Sequence, residues 1–469
     1  MRGEVTRYNE FRGYGFIKGD DDRNYFVHRS FIEGEGYKYL REGDRVEFDP
    51  REVPKGFEAG HVKVIKSKNF NGLVLKPNPF MPQQPMTDPN RFAGREESVL
   101  NAVDCLFNHK NLLITGERGI GKSSLAFQLA FLAEGEVVLL DRLKVDTGGY
   151  KFAYLTADHR CIPGHDLFNI IESLLVSTVQ KLGIELDYDK ITTEIGVDVK
   201  LLKAIQKTET TNTRSTELVT YFVDAIAKIW DRAGADFNGL CFLVDEIDCL
   251  TEEINLAAFL KATIESLNFK SYPNISFVLA GVTGVMTDLL TQHKSFSRLF
   301  ENIELRRMTE SELADIVGKA LVDSGVTIES EVKTRIINLS DRFPEPIHLL
   351  GYHSFRYDDD KNIGVADFER AINFIIRELK RQEFDNLYGI SKDGLGHTIL
   401  YNISNNSKSV FTVAELADEI GESERKVAGF IGDLVSKEVV VRSKGNTFRL
   451  KDPLFRLYLR WVIGKDKLA

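Results

Sequence analysis

The stretch LLITGERGIGKSSLAFQLA, residues 112–130, constrains the fold more than any other part of the chain. An apolar run leads into Gly116, Gly119, Ile120 and Gly121, and then Lys122, Ser123 and Ser124 open a run of helical period. The spacing G-x-x-x-x-G-K-[ST] between a strand and a helix is that of a loop that cradles phosphates. Its glycines let successive backbone N–H groups converge on an anion, and the helix N-terminus adds favourable partial charge. Lys122 can reach the outer phosphates of a nucleotide, and the Ser123 hydroxyl can hold magnesium.

A cradle of this kind requires a second half at the end of another buried strand. GLCFLVDEID supplies one, with apolar residues running into Asp245 and Glu246. Asp245 is placed to bind the metal and Glu246 to polarise an attacking water. Two adjacent acids could equally start a solvated helix, where the dipole favours them. Pairing with the upstream loop favours the catalytic reading. Around these motifs, the strand-like runs NLLITG, EVVLLD, KFAYLTA, LCFLVDEID and ISFVLAG alternate with helical stretches such as TELVTYFVDAIAKIWDRA. Alternation of this type predicts a parallel sheet covered on both faces.

With 469 residues the chain is too long for one core, and about three domains are expected. Residues 1–65 carry short aromatic segments with alternating polarity, separated by Gly and Asp, as in a small all-β barrel. Residues 66–90 hold five of the twelve prolines and read as an extended linker. The α/β core is expected over 91–310, a helical lid over 311–390, and a helix–helix–helix–hairpin module over 391–469. The polar stretch ending QKTETTNTRS, within 141–213, reads as a mobile loop.

In the barrel, Tyr14 and Phe16 are two apart, as are Phe26 and His28, so each pair faces one side of its strand. An exposed set of rings stacks unpaired bases, whereas a buried set would fill the barrel. Glycines around Tyr14 and the basic Arg12 and Lys18 favour the exposed reading. The candidate face for single-stranded RNA or DNA is Arg7, Tyr8, Arg12, Tyr14, Phe16, Phe26, His28, Arg29 and Tyr37.

Three resemblances follow from these residues. GEVTRYNEFRGYGFIKGDDDRNYFVHRSF and its continuation resemble a cold-shock domain, whose family fold is a five-stranded, OB-type barrel that binds single strands. Arg7 and Arg29 depart from the tryptophan and phenylalanine usual there; arginine can stack and also meet phosphate. Residues 91–375 resemble an AAA+ ATPase of the origin-recognition and archaeal-type group. That resemblance implies ATP and Mg2+ as cofactors. RFAGREESV resembles the segment that packs on adenine, which assigns Phe92 and Gly94 to Glu96 to the base end. Thr283, after ISFVLAG, becomes the candidate beside the γ-phosphate, with a capping threonine as its plain alternative. Arg298 stands where such ATPases offer a finger arginine to a neighbouring subunit, and it could equally be a surface arginine. Pro346 in RFPEPIHLLG matches the lid helix, but Ile347 stands where an arginine is common; Arg342 could replace it. FTVAELADEIGESERKVAGFIGDLVSKEVVVRSKGNTFRL resembles a winged helix with a basic wing at Arg442, Lys444 and Arg449. It could bind duplex DNA, or pack on the ATPase or on a partner.

The net charge of −9 gives no general attraction to nucleic acid, so any such binding must be local. Four scattered cysteines without CxxC spacing speak against zinc or a disulfide framework and fit a reducing cytoplasm. No apolar run is long enough for a membrane span. Three functions remain open at this stage: an ATPase coupled to nucleic-acid recognition, as a homo-oligomer if Arg298 serves a neighbour; a nucleotide-dependent switch or scaffold that recruits a separate effector, as in bacterial defence; and a transcriptional regulator.

Overall fold

The structure, a computed structural model, describes residues 1–9, 13–33, 40, 43–53, 56–66, 77–183, 197, 211–272, 274–379, 384, 394–405, 410–442 and 446–466. Of the expected features, Arg12, Tyr37, Lys444 and most of the polar stretch before 211 lie outside the described residues.

The N-terminal strands β1 (Arg2–Asn9), β2 (Tyr14–Gly19), β3 (Asn24–His28), β4 (Arg45–Val53) and β5 (Gly56–Lys66) close into a barrel in the order β1-β2-β3-β5-β4. Its interior is Val5, Ile17, Tyr25, Val27, Val46, Phe48, Ala59 and Val62, each at most 2% exposed. Alternation does this: Ile17 and Val27 point in, so Phe16 and Phe26 point out.

The next helix, α1 (Glu96–Phe107), precedes β6 (Asn111–Gly116), every residue of which is buried. The cradle then leads into α2 (Lys122–Ala133), followed by α3 (Val138–Leu143), β7 (Tyr154–Arg160) and α4 (Leu167–Lys181). Next come α5 (Thr211–Ala233), β8 (Gly239–Asp245), α6 (Leu256–Phe269), β9 (Ile275–Val282), α7 (Val285–Gln292) and β10 (Phe300–Leu305). The five strands form a parallel sheet in the order β10-β6-β9-β8-β7. One face is covered by the core of α4, α5 and α6, the other by that of α1 and α2. The expectation for EVVLLD needs correction, because α3 is a helix rather than a strand. A short apolar run does not distinguish the two; β7 takes the edge of the sheet, and Leu139 and Leu140 pack instead beside Phe152. The last residues of the polar stretch, from Thr211, begin α5 and are not a loop.

The lid comprises α8 (Glu310–Leu321), β11 (Thr327–Ile328), α9 (Ser330–Leu339), α10 (Pro344–Tyr357), β12 (Asn362–Ile363) and α11 (Val365–Leu379). The last module runs α12 (Gly394–Asn405), β13 (Phe411–Thr412), α13 (Val413–Ile420), α14 (Glu424–Ser436), β14 (Val440–Arg442), β15 (Thr447–Leu450) and α15 (Pro453–Asp466). Its strands form a sheet in the order β13-β15-β14. Lid and module, expected as separate units, share one continuous core, with Phe368, Ile372 and Ile376 of α11 in the same cluster as Leu457 and Tyr458 of α15.

The linker expectation also changes where it is described. Phe80 is 1% exposed and lies against Gly351 of α10, where an added Cβ would fall 2.4 Å from its ring. Met86 donates its backbone N–H to Ser124 Oγ at 3.0 Å, and Gln128 donates to its carbonyl at 2.9 Å. Residues 80–87 are thus packed structure, because Phe80 and Met86 are large enough to fill gaps in two cores. All four cysteines are free, and no helix among the described residues is long and apolar enough to cross a membrane.

Candidate functional site

The loop predicted as a cradle has the backbone its glycines permit. Gly119 has φ +73° and Gly121 φ +100°, and Gly121 caps α2. This left-handed region is open to glycine at little cost, and the turn is closed by the Ile120 N–H, which donates to the Glu117 carbonyl at 3.3 Å. Ile120, 1% exposed, anchors the loop in the core, and Arg95 Nη2 donates to its carbonyl at 3.0 Å. Lys122 is folded back across the loop and donates to the carbonyls of Gly116 and Glu117 at 3.2 and 3.0 Å. Burial lowers its pKa, opposed by Asp248, Asp245 and Glu246.

Those three acids stand at the end of β8. Asp245 is 5% exposed; burial raises its pKa, while the nearby Ser123 and the Lys122 charge act against the shift. The Ser123 hydroxyl and the Asp245 carboxylate are oxygen donors of the hard kind that magnesium prefers. Glu246 breaks from the strand with φ +56°, and its N–H donates to Asp245 Oδ1 at 2.9 Å. A non-glycine residue is strained there. Thr283 is brought to the same place, its N–H donating to the Gly116 carbonyl at 3.1 Å. The sequence reading missed two features at this site. Arg160, at the end of β7, pairs with Glu246 at 2.5 Å, and Asp248 accepts from the Val282 N–H at 3.0 Å. A basic residue closing the strand beside β8 was the available signal for Arg160.

On the barrel, Tyr14 pairs with His28 and Phe16 with Phe26 across β2 and β3, which places all four on one face. Ring centroids lie 5.9 Å apart for Tyr14–Phe26 and 6.0 Å for Phe16–Phe26, and Phe16 is 42% exposed. Arg7 stands opposite Phe16 on β1 and is exposed. These residues form a stacking platform with a cation beside it. Two others do not join it. Tyr8 stands opposite Gly15 and packs against the barrel core, since strand alternation turns it inward. Arg29 is 6% exposed and turned away from the platform: its guanidinium lies 4.1 Å over the Phe131 ring, and Nη2 donates to Glu134 at 3.3 Å.

Both parts of the chain resemble known proteins. The model of the family described as Novel STAND NTPase 1 matches residues 83–357, more than half of the chain, and that of the cold-shock DNA-binding domain matches residues 1–65. The chain belongs to the Novel STAND NTPase 1 family. Its barrel is a cold-shock domain, 50% identical over 66 residues to a cold shock-like protein of Thermotoga maritima. That match covers 14% of this chain and 100% of the relative. The major cold shock protein of Micrococcus luteus is 48% identical over 61 residues, covering 13% of this chain and 91% of its own length. Among solved structures, a Walker-type ATPase of Pyrococcus abyssi has 16% identity and a TM-score of 0.47, over 81% of this chain and 99% of its own. The ORC2 protein of Aeropyrum pernix has 12% identity and a TM-score of 0.43, over 83% and 97%.

In this STAND NTPase several predicted residues are placed differently from the expectation. Phe92 is 4% exposed and enclosed in the core with Ile120 and Leu305, because the chain entering α1 runs beneath the loop. Pro346 and Ile347 are buried in the first turn of α10, whose period points them into the lid. The neighbours of the cradle are instead Pro344, 3.8 Å from a Cβ built on Gly121, and Glu345. Glu345 Oε2 would lie 2.1 Å from a Cβ on Gly119, so the lid places a carboxylate at the mouth of the cradle. Burial raises the Glu345 pKa, and Asp452 adds to the shift. Ser124 is occupied by Met86. Arg342 and Arg298 are both exposed. Arg449, read as part of a basic wing that could bind duplex DNA or pack on the ATPase, lies inward with Nη1 3.3 Å from Glu117, which draws its charge towards the loop.

Two histidines set an acid limit. His159, against His165, and His348 in the lid are both pushed down to about 4, chiefly by burial. Unfolded, each titrates near ~6.5. Between these values the unfolded chain takes up protons that the folded chain refuses. The resulting stability is complete above about pH 6.5 and falls as the pH drops towards 4, by up to about 1.4 kcal/mol per pH unit per histidine. Denaturant midpoints at neutral and acid pH should show this slope, reduced in His348→Gln.

Proposed function

We propose that this protein binds ATP with Mg2+ in the cradle, hydrolyses it, and couples its nucleotide state to a single strand of RNA or DNA held on the cold-shock rings. The observation that carries the reading is the buried Asp245 at the end of β8, close to Lys122 at the start of α2, with Glu246 next in the chain. When bound, magnesium would be held by Ser123 and Asp245 and would neutralise charge on the phosphates. The residues of the chain do the rest. The N–H groups around Gly119 and Gly121 orient the phosphates, Lys122 leaves its own loop carbonyls to meet them, and Glu345 withdraws. Glu246, released from Arg160, orients a water for attack, and Thr283 stands beside the terminal phosphate.

A second reading, a switch that holds nucleotide without turning it over and recruits an effector, is favoured by two contacts: Arg160 on Glu246 and Glu345 over Gly119. Reading of duplex DNA by the terminal module, taken as a winged helix, has less support, because Arg449 is engaged with Glu117. The deciding experiment is ATP turnover with and without single-stranded RNA, single-stranded DNA and duplex DNA. Stimulation by single strands supports the coupled ATPase. Turnover that stays negligible with every nucleic acid while ATP binds tightly supports the switch. Phe16→Ala with Phe26→Ala should weaken strand binding by ~1–3 kcal/mol per base lost from the stack, measured by fluorescence anisotropy, and should abolish the stimulation.

A further inference from the structure

Arg29 follows the last ring of the platform, His28, and its N–H donates to the Gly13 carbonyl at 2.7 Å. Gly13, in turn, precedes the first ring, Tyr14. Gly13 has φ +66°, and a Cβ there would fall 2.8 Å from Arg29 Cδ. The stem of Arg29 is therefore wedged between the ends of β2 and β3, the two strands that carry the rings. A change in their spacing on base binding would move this side chain.

The head of Arg29 is fastened to the ATPase at a point joined to the nucleotide site by two rigid elements. Phe131 lies in the last turn of α2, and Glu134 is its C-cap. The other end of that helix, ~18 Å away at 1.5 Å per residue, begins with Lys122 and Ser123. Glu134 also accepts from Lys181, at the end of α4, and from Thr156 in β7. Four residues further along β7, on the same side of the strand, Arg160 holds Glu246.

The charges show that this contact is a particular one. Burial alone would raise the Glu134 pKa, but Lys181, Thr156 and Arg29 together hold it below the usual carboxylate range. The same cations reach the platform: His28 is shifted down by burial, and further by Arg29 and Lys181. Arg29 Nη1 is buried without a hydrogen-bond partner. An unmet buried donor is costly, so the docked arrangement is one the protein can leave without losing a fully satisfied network.

We infer that the contact of Arg29 with Phe131 and Glu134, the latter held in turn by Thr156 and Lys181, is the joint through which strand occupancy on the barrel and nucleotide state in the cradle act on each other. The inference rests on the reading above that the rings bind a strand and the cradle a nucleotide. It adds where the coupling passes. Coupling through such a joint is reciprocal: if nucleotide changes strand affinity, a strand changes nucleotide affinity by the same factor.

The test uses the full chain and a labelled dT oligomer of about 12 nucleotides, within the ~4–16 nucleotide range of such folds. Strand affinity is read by anisotropy in the absence of nucleotide, with ADP, and with a non-hydrolysable ATP analogue. Nucleotide affinity is read with and without the oligomer. Glu134→Gln and, as a second variant, Thr156→Val touch neither the rings nor the cradle. The wild type should show a ratio of strand affinities between nucleotide states of about 5–150-fold. In both variants that ratio should fall to about one, with each ligand alone binding within about 3-fold of wild type. Variants that keep the wild-type ratio would overturn the joint and leave the functional reading intact. A wild type that binds both ligands with a ratio of one, or binds no strand, would overturn the two together. A folded variant that loses one ligand outright would show a role in that ligand's own site, and that also overturns the inference.

Discussion

Glu246→Gln should leave ATP binding nearly unchanged and lower kcat by about 10²–10⁴-fold, the usual contribution of a positioned general base. The substitution keeps the shape and removes the charge proposed to orient water. It also dissolves the pair with Arg160. Lys122→Ala should act earlier. The ammonium group lies within the cradle, bonded to the carbonyls of Gly116 and Glu117, in the position from which it would swing to the phosphates. Its removal should abolish measurable ATP affinity as well as turnover. Titration with a fluorescent ATP analogue, beside steady-state phosphate release, separates the two. A glutamine variant that turns over ATP like the wild type would remove Glu246 from the mechanism.

Asp341→Ala should be strongly destabilising, by about 3–5 kcal/mol, because it strands buried cations. Asp341 is 8% exposed; it accepts from Arg307 Nη1 at 2.6 Å and Arg460 Nη2 at 3.2 Å, and lies 3.1 Å from Arg456 Nε. Arg456 is 2% exposed, and burial holds its pKa down to about 10. Arg307 and Arg449 also meet Glu117 of the phosphate loop, at 3.3 Å each. Asp341 and Arg342 both have positive φ, 53° and 66°, a strained turn held in place by these pairs. The denaturant midpoint at constant slope measures the loss. A fall of less than about 1 kcal/mol would mean that the cluster relaxes and admits water.

The parts of this protein legible in the sequence are those where the chemistry is local. The cradle lies within eight consecutive residues between a buried strand and a helix, so spacing alone reveals it. Asp245 and Glu246 could be recognised from the apolar run that ends on them. The platform followed from alternation, because Tyr14 and Phe16, like Phe26 and His28, are two apart and the register of β2 with β3 brings the pairs together. The misreadings share another cause. EVVLLD has the composition of a strand but only four apolar residues in a row, and its state depended on β7 having taken the sheet edge. Proline content suggested an open linker, while Phe80 and Met86 found cavities in cores formed mainly by residues far along the chain.

Arg29 shows where the division falls. Next to His28 in a strand-like run, it reads as one more residue of a binding face, and nothing nearby in sequence says otherwise. Its partner Glu134 is 105 positions away, Arg160 is 86 from Glu246, and Glu345 and Arg449 approach the phosphate loop from more than 200 residues downstream. Short-range periodicity sets which face of an element a side chain occupies, and so the sequence by itself determined the barrel, the parallel sheet, the cradle and the rings. Which of those side chains are buried, paired or set against another site depends on how finished elements pack. Contacts between distant segments form only when burial of apolar surface outweighs the entropy of closing the long loops between them. That balance belongs to the whole fold, and only the tertiary structure decided it.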